Sequence, residues 1–441
     1  MKTLVKLILG VIGLLAAAAA LLWFLNSRDE SDLSAPVAAA LPSASMLQRG
    51  AYLARAGNCM GCHSARGGEP YAGGRGIDTP FGTVFTSNLT PDAATGIGSW
   101  SPAQFWRAMH NGRSRDGRLL YPAFPYTSFT QVTREDSDAL HAYLKTLAPV
   151  VQTNRAHALR FPYQSQAALA VWRALYFSPG VYKTDASHNA EWNRGAYLAA
   201  GLGHCSACHT ARNAMGATDG LSLAGGLIPV QNWYAPSLVA PHEAGVGGWR
   251  TEDIVSLLKK GVSAGASVNG PMADVVMGST QHLSDADLGA LAQYLKTLPA
   301  PPPPSEIARY LDIAVAAISP SPRVATVPAA VTARGAKLYD KHCAQCHGDT
   351  GQGVANAYPA LAGNRAVLMA QSANLVQMVL NGGFAPATAG NPRPFGMPPF
   401  VLLLDDNEVA AVLTHIRSNW GNQASAVSAL EVNRIRSRQT P

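Results

Sequence analysis

The chain has 441 residues, 47% hydrophobic and only 14% charged, with 34 Lys and Arg against 27 Asp and Glu for a net charge of +7. That length suits several domains rather than one, and so low a charge fraction suits domains packed around large apolar groups. With no long basic run, the positive balance argues against a nucleic-acid partner and fits a membrane surface or an acidic protein patch.

At the N-terminus, Lys2 and Lys6 precede an uninterrupted apolar run from Leu7 to Leu25. At ~1.5 Å per residue the run spans about 28 Å, close to the ~30 Å hydrocarbon core of a bilayer. Trp23 stands where an interfacial aromatic belongs, and Arg28, Asp29 and Glu30 follow. The positive end stays in the cytoplasm, which places the rest on the periplasmic side of the cytoplasmic membrane. A cleaved leader would need small residues directly after the run, and the nearest, Ala38 to Ala40, lie well beyond it. Residues 1–27 therefore read as a retained transmembrane anchor in preference to a signal, with 28–45 as linker.

The six cysteines all fall in three copies of one pattern: Cys59-Met60-Gly61-Cys62-His63, Cys205-Ser206-Ala207-Cys208-His209 and Cys343-Ala344-Gln345-Cys346-His347. Each reads as a covalent haem attachment site, the two thiols bonding the porphyrin and His63, His209 and His347 binding iron. A redox dithiol, a zinc site or a disulfide framework would not produce three identical copies with no cysteine left over. The predicted cofactors are three covalently bound haem c groups.

Each motif sits in a repeated frame. Arg49-Gly50-Ala51-Tyr52-Leu53, Arg194-Gly195-Ala196-Tyr197-Leu198 and Arg334-Gly335-Ala336-Lys337-Leu338 lead into the three motifs. Helices around Ala139–Leu144, Ala290–Leu295 and Val409–Thr414 close them, with apolar residues three and four apart. An all-α chain of three tandem domains follows, at 46–150, 189–300 and 331–422. Residues 151–188 form a connector whose apolar stretch Ala167–Phe177 reads as a packed connecting helix in preference to a membrane element, since it is too short to span. A proline-rich linker occupies 301–330, and a polar tail, 423–441, is expected to lie over the surface.

The opposite face of each iron needs a ligand, and methionine there raises the potential. In the third repeat Met397 lies between Gly396 and Pro398-Pro399, a stiff loop suited to presenting a thioether. The second repeat offers Met272, favoured over Met277 by Pro271 before it and by its spacing from the haem motif. In the first repeat the aligned position is Phe124, which cannot bind iron; Met109 and His110 are the nearby alternatives, and otherwise the sixth position is open or weakly filled. Leu89, Leu238 and Leu361 align across the repeats as residues packing on the haem, and a carbonyl beside Pro236 or Pro359 is placed to orient the proximal histidine. The sequon Asn88-Leu89-Thr90 reads as chance.

With these residues in view, the chain resembles the trihaem cytochrome c subunits of bacterial membrane-bound dehydrogenases for alcohol, gluconate, fructose and aldehydes. Thr79-Pro80-Phe81-Gly82, Asn88-Leu89-Thr90-Pro91-Asp92, Gly96-Ile97-Gly98, Leu120-Tyr121-Pro122-Ala123, Gly203-His204-Cys205, Tyr358-Pro359-Ala360-Leu361-Ala362-Gly363-Asn364 and Trp420-Gly421-Asn422 carry the likeness. It implies class I cytochrome c-like domains and an electron-transfer subunit that docks on a catalytic dehydrogenase subunit and delivers electrons to ubiquinone. The family usually has Met where this chain has Phe124. The anchor and Asn391-Pro392-Arg393-Pro394 make the likeness greatest to partners of molybdenum-containing aldehyde dehydrogenases, with iron–sulfur centres. Quinoprotein and flavoprotein partners are the alternative. Two further readings are a haem peroxidase at an open first haem, for which no acid–base pair is visible, and a free-standing anchored carrier. No independent substrate site is seen, and no residue is assigned a catalytic role.

Overall fold

The structure is a computed structural model that describes residues 2–28, 30, 33, 41–218, 220–241, 243–263, 265–299, 328–355 and 357–437. The linker expected at 301–330 lies outside the described residues except for its last three. The chain divides into two compact units. One comprises Met1–His188, Tyr197–Ala207 and Asn213–Thr218; the other comprises Asn189–Ala196, Cys208–Arg212 and Asp219–Pro441. The division passes through the second haem motif, between Cys205 and Cys208.

The apolar run forms one helix, Lys2–Ser27, with mean hydropathy 2.6 over its most apolar window and none of that window buried. Each repeat is then framed by an entry helix and a closing helix. The pairs are Ala44–Ala56 with Arg134–Leu144, Ala190–Ala200 with Asp285–Thr297, and Ala329–His342 with Asp406–Ser418. The recurring Arg-Gly explains why these pairs meet. A methyl group on Gly50, Gly195 or Gly335 would overlap the backbone of Ala139, Ala290 or Ala411 on the closing helix, so only glycine lets the two helices cross this closely. The preceding arginine reaches an acid in the closing helix's first turn. Arg49 pairs with Asp136, Arg194 with Asp287 at 2.8 Å and Arg334 with Glu408 at 2.9 Å. These carboxylates also sit favourably at the helix N-terminus.

The framework is helical, but the loops between the helices carry short antiparallel ribbons that the helical pattern does not foretell. Gly76–Thr79, Gly82–Phe85 and Ala158–Leu159 form three strands in the first repeat and connector. Gly226–Ile228 pairs with Trp233–Ala235, Val262–Ser263 with Ala266–Ser267, and Gly383–Phe384 with Gly396–Met397. Segments this short show no period-2 alternation, which is why the sequence hides them.

The tail departs from the surface role expected of it. Ser428 and Glu431 cap a helix, Ala429–Arg436, whose Val432 is fully buried in the third repeat's core with Val427, Leu413 and Ile416. Arg436 donates to the carbonyls of Val401 and Leu404 and pairs with Asp406.

Candidate haem sites

In each repeat the two cysteines bracket one helical turn. The turns are Cys59–Cys62, Ser206–His209 directly after Cys205, and Ala344–His347 directly after Cys343. Thiols three residues apart on such a turn project to one side. All six are free. Burial, then the neighbouring cysteine of the pair, pushes the Cys59 thiol up to about 12 and the Cys343 thiol up to about 11.

The three histidines share one arrangement. Nδ1 of His63 meets the Ser87 carbonyl at 2.7 Å, Nδ1 of His209 the Pro236 carbonyl at 2.7 Å, and Nδ1 of His347 the Pro359 carbonyl at 2.9 Å. A carbonyl only accepts, so each Nδ1 carries the proton and Nε2 keeps its lone pair for a metal. Burial lowers the proton affinity of all three rings, favouring the neutral form that binds iron. The accepting carbonyl lies two residues before Leu89, Leu238 or Leu361 in every case. Sequence reasoning singled out Pro236 and Pro359; the same offset from Leu89 would have found Ser87. Among the described residues, no three His, Cys, Asp or Glu side chains gather as a metal-ion site, so a zinc reading gains nothing. Paired thiols beside an oriented, neutral imidazole fit covalent haem.

The distal side differs between repeats. Met397 is held by the Gly383–Phe384 ribbon, paired with Gly383, and packs in one cluster with Cys343, Ala344 and Leu361. Met272, near the start of the helix Pro271–Gly278, packs with Leu257, Val268 and Val276, whereas Met277 is 46% exposed and faces an open cleft. In the first repeat Phe124 packs in the cluster that holds Cys59 and Leu89, its ring 5.3 Å from Phe129. His110 is buried, stacked on Trp106 at 4.4 Å, with Nδ1 3.0 Å from the Thr130 carbonyl. Met109 lies between helices beside Leu53, Phe105 and Leu140. Asn88 and Thr90 are both buried and hydrogen-bonded to the Val150 carbonyl, which removes the sequon as a modification site.

Neighbouring repeats touch through their haem loops. Within the first unit, Leu202 enters the first repeat's core three residues before Cys205. His204 stacks on Phe129 at 5.7 Å, and Tyr197 donates to Asp136 at 2.6 Å. Within the second unit, Tyr234 and Asn374 exchange two hydrogen bonds of 2.8 and 2.7 Å, and Arg365 donates to the carbonyls of Pro241 and Glu243. A cleft of about 450 Å³ separates Met277 and Trp233 from Met378 and Phe384. None of these contacts follows from periodicity, because each joins residues distant in sequence.

The cytochrome c family model matches residues 47–148, 193–299 and 332–420. The chain belongs to the cytochrome c family. This cytochrome is 39% identical over 405 residues to the alcohol dehydrogenase (quinone) cytochrome c subunit of Gluconacetobacter polyoxogenes, covering 90% of this chain and 85% of that one. It is 37% identical to the gluconate 2-dehydrogenase cytochrome c subunit of Pantoea cypripedii, with 90% of each chain covered. It is also 34% identical over 431 residues to the fructose dehydrogenase cytochrome subunit of Gluconobacter japonicus, covering 94% of this chain and 87% of that one. Family membership implies covalently bound haem c, and three matched regions accord with three attachment motifs.

Proposed function

We propose that this chain is the three-haem electron-transfer subunit of a membrane-bound dehydrogenase, taking electrons from a catalytic subunit and passing them to ubiquinone. The observation that carries the reading is the triple recurrence of a Cys pair beside a histidine whose Nδ1 is committed to a carbonyl, in a chain alignable over most of its length with dehydrogenase cytochrome subunits. Haem supplies the one-electron chemistry. The chain's own part is to attach the group through Cys59, Cys62, Cys205, Cys208, Cys343 and Cys346, and to present Nε2 of His63, His209 and His347. Met272 and Met397 offer thioethers opposite, which favour the reduced state.

For the catalytic partner, the sequence resemblance favours a molybdenum-containing aldehyde-oxidising subunit over a quinoprotein or flavoprotein. Gentle extraction from native membranes, followed by metal and subunit analysis, tests both levels of the proposal. The expected result is a stoichiometric catalytic partner with molybdenum at about one per three haem irons. Flavin or a quinone cofactor on the partner would move the assignment to alcohol or sugar oxidation. Haem iron with no partner would refute the subunit reading.

Phe124 supports a second reading of the first repeat alone. It stands among Cys59 and Leu89 as Met397 stands among Cys343 and Leu361, and it has no lone pair to give. An iron without a strong sixth ligand binds CO on reduction. The CO difference spectrum of the dithionite-reduced protein should show an adduct at one haem, and its absence would end any ligand-binding or peroxidase role.

A further inference from the structure

From Leu7 to Leu25 the anchor helix is apolar on every face, yet its last turn holds one buried residue, Asn26. The Asn26 amide donates to the Ala170 carbonyl at 3.0 Å, and its oxygen accepts from Nε of Arg173 at 2.9 Å. Both partners lie on the connector helix, Gln166–Tyr176. Arg173 is 3% exposed and has no carboxylate within ion-pair distance among the described residues. Its guanidinium lies over the rings of Phe177 at 4.7 Å and Tyr126 at 5.2 Å, and the Asn26 oxygen is the acceptor that takes its Nε–H. Just beyond the anchor, Glu30 pairs with Arg113 at 2.8 Å. Cleavage near Ala38 would remove Asn26 and Glu30 together and take from Arg173 the acceptor of its Nε–H and from Arg113 its carboxylate.

Depth follows from this lock. Asn26 comes one residue after the apolar run ends at Leu25, so it marks the edge of the hydrocarbon layer. Ala170, hydrogen-bonded to it, sits at that same level. The connector helix buries Leu169, Trp172 and Arg173 against the protein. Its outer face carries Ala167, Val171 at 44% exposure, Leu175 at 67% and Tyr176 at 38%, and no charge. Apolar residues with a tyrosine at that depth match a helix lying in a membrane interface.

We propose that the connector helix is a second membrane contact, lying in the headgroup–acyl boundary with Ala167, Val171 and Leu175 toward lipid, and that the Asn26–Arg173 lock fixes the first haem domain against the bilayer. The proposal rests on Lys2–Ser27 being a retained anchor. Its occupant is the bilayer that takes the anchor, because the apolar face continues the anchor's own surface.

The test places the intact haem-loaded protein in nanodiscs of phosphatidylcholine bearing a diazirine near the glycerol end of one acyl chain. After illumination, labelled peptides are mapped by mass spectrometry and the N-terminus of the mature chain is sequenced. Label on the Val171–Tyr176 segment and on the anchor is expected. Label on the anchor alone overturns the inference and leaves the anchor standing. A mature N-terminus beyond Ser27 overturns the anchor and the inference together. Connector labelling in the free subunit that vanishes in the native complex would assign the face to a protein partner instead. Asn26→Leu should lower connector labelling several-fold with the anchor still labelled; unchanged labelling would refute the lock.

Discussion

The first and third repeats are built on one frame and differ where chemistry is set. In both, an arginine–glycine pair lets the entry helix cross the closing helix, and a histidine Nδ1 meets the carbonyl two residues before an aligned leucine. On the distal side the third repeat pins Met397 to a two-stranded ribbon, while the first packs Phe124 edge-on to Phe129. The parts that hold the fold and the proximal ligand are repeated; the distal position varies. Under the proposed function, attachment would stay constant along the chain while each haem took its own potential, the property an electron relay needs.

The comparison breaks most visibly if the third repeat is given the first repeat's residue. Met397→Phe should lower the potential of one haem by on the order of a few hundred mV, part of the ~0.8 V that axial ligands command. The same change should create a second CO-binding haem, and a spectroelectrochemical titration with and without CO checks both. Phe124→Met is the reverse experiment and should abolish the CO adduct.

Next in size are the helix crossings. Gly335→Val or Gly50→Val forces a side chain into the closing helix's backbone and should cost about 3 kcal/mol or more, read as a lower denaturation midpoint. Similar losses in the two repeats would confirm that the frame is shared.

A pH effect should attach to His141 in the first repeat. Burial, followed by nearby Lys145, holds His141 down to about 4 from its ordinary 6.5. The unfolded chain takes up this proton near pH 6.5 and the folded chain only near pH 4. Stability is therefore fully present above pH 6.5 and falls as the pH drops through that window, by on the order of 2 kcal/mol at pH 5. Taking Ala139 and Ala411 as equivalent at their glycine crossings, the third repeat has Leu413 where the first has His141. His141→Leu should reduce the dependence by His141's share in melts at pH 7 and pH 5.

The smallest contrast concerns the paired arginines. Arg334→Ala removes a half-exposed ion pair and should cost about 0–1 kcal/mol. Arg49→Ala leaves Asp136, only 1% exposed, with Tyr197 as its remaining side-chain donor in another element, and should cost about 1–3 kcal/mol. Equal losses would show that the burial difference is energetically idle.

The sequence made the cysteine pairs, the histidine after each and the framing helices legible, because three copies expose any regular spacing. Met397 stood out through its prolines. Less visible was whatever depends on partners far along the chain. Asp136, Asp287 and Glu408 look like ordinary first-turn acids until the arginines reach them. His204 and Leu202 read as a prelude to Cys205 rather than as contacts with the first repeat. The tail looked polar because few of its residues, Val427, Ala429, Val432 and Ile435, turn inward.

The central claim, one repeated haem frame with a variable distal ligand, is tested most directly by magnetic circular dichroism of the oxidised protein, with haem iron counted per chain. The methionine-to-iron charge-transfer band should account for two of three haems. A band matching all three, or fewer than three haems per chain, would contradict it.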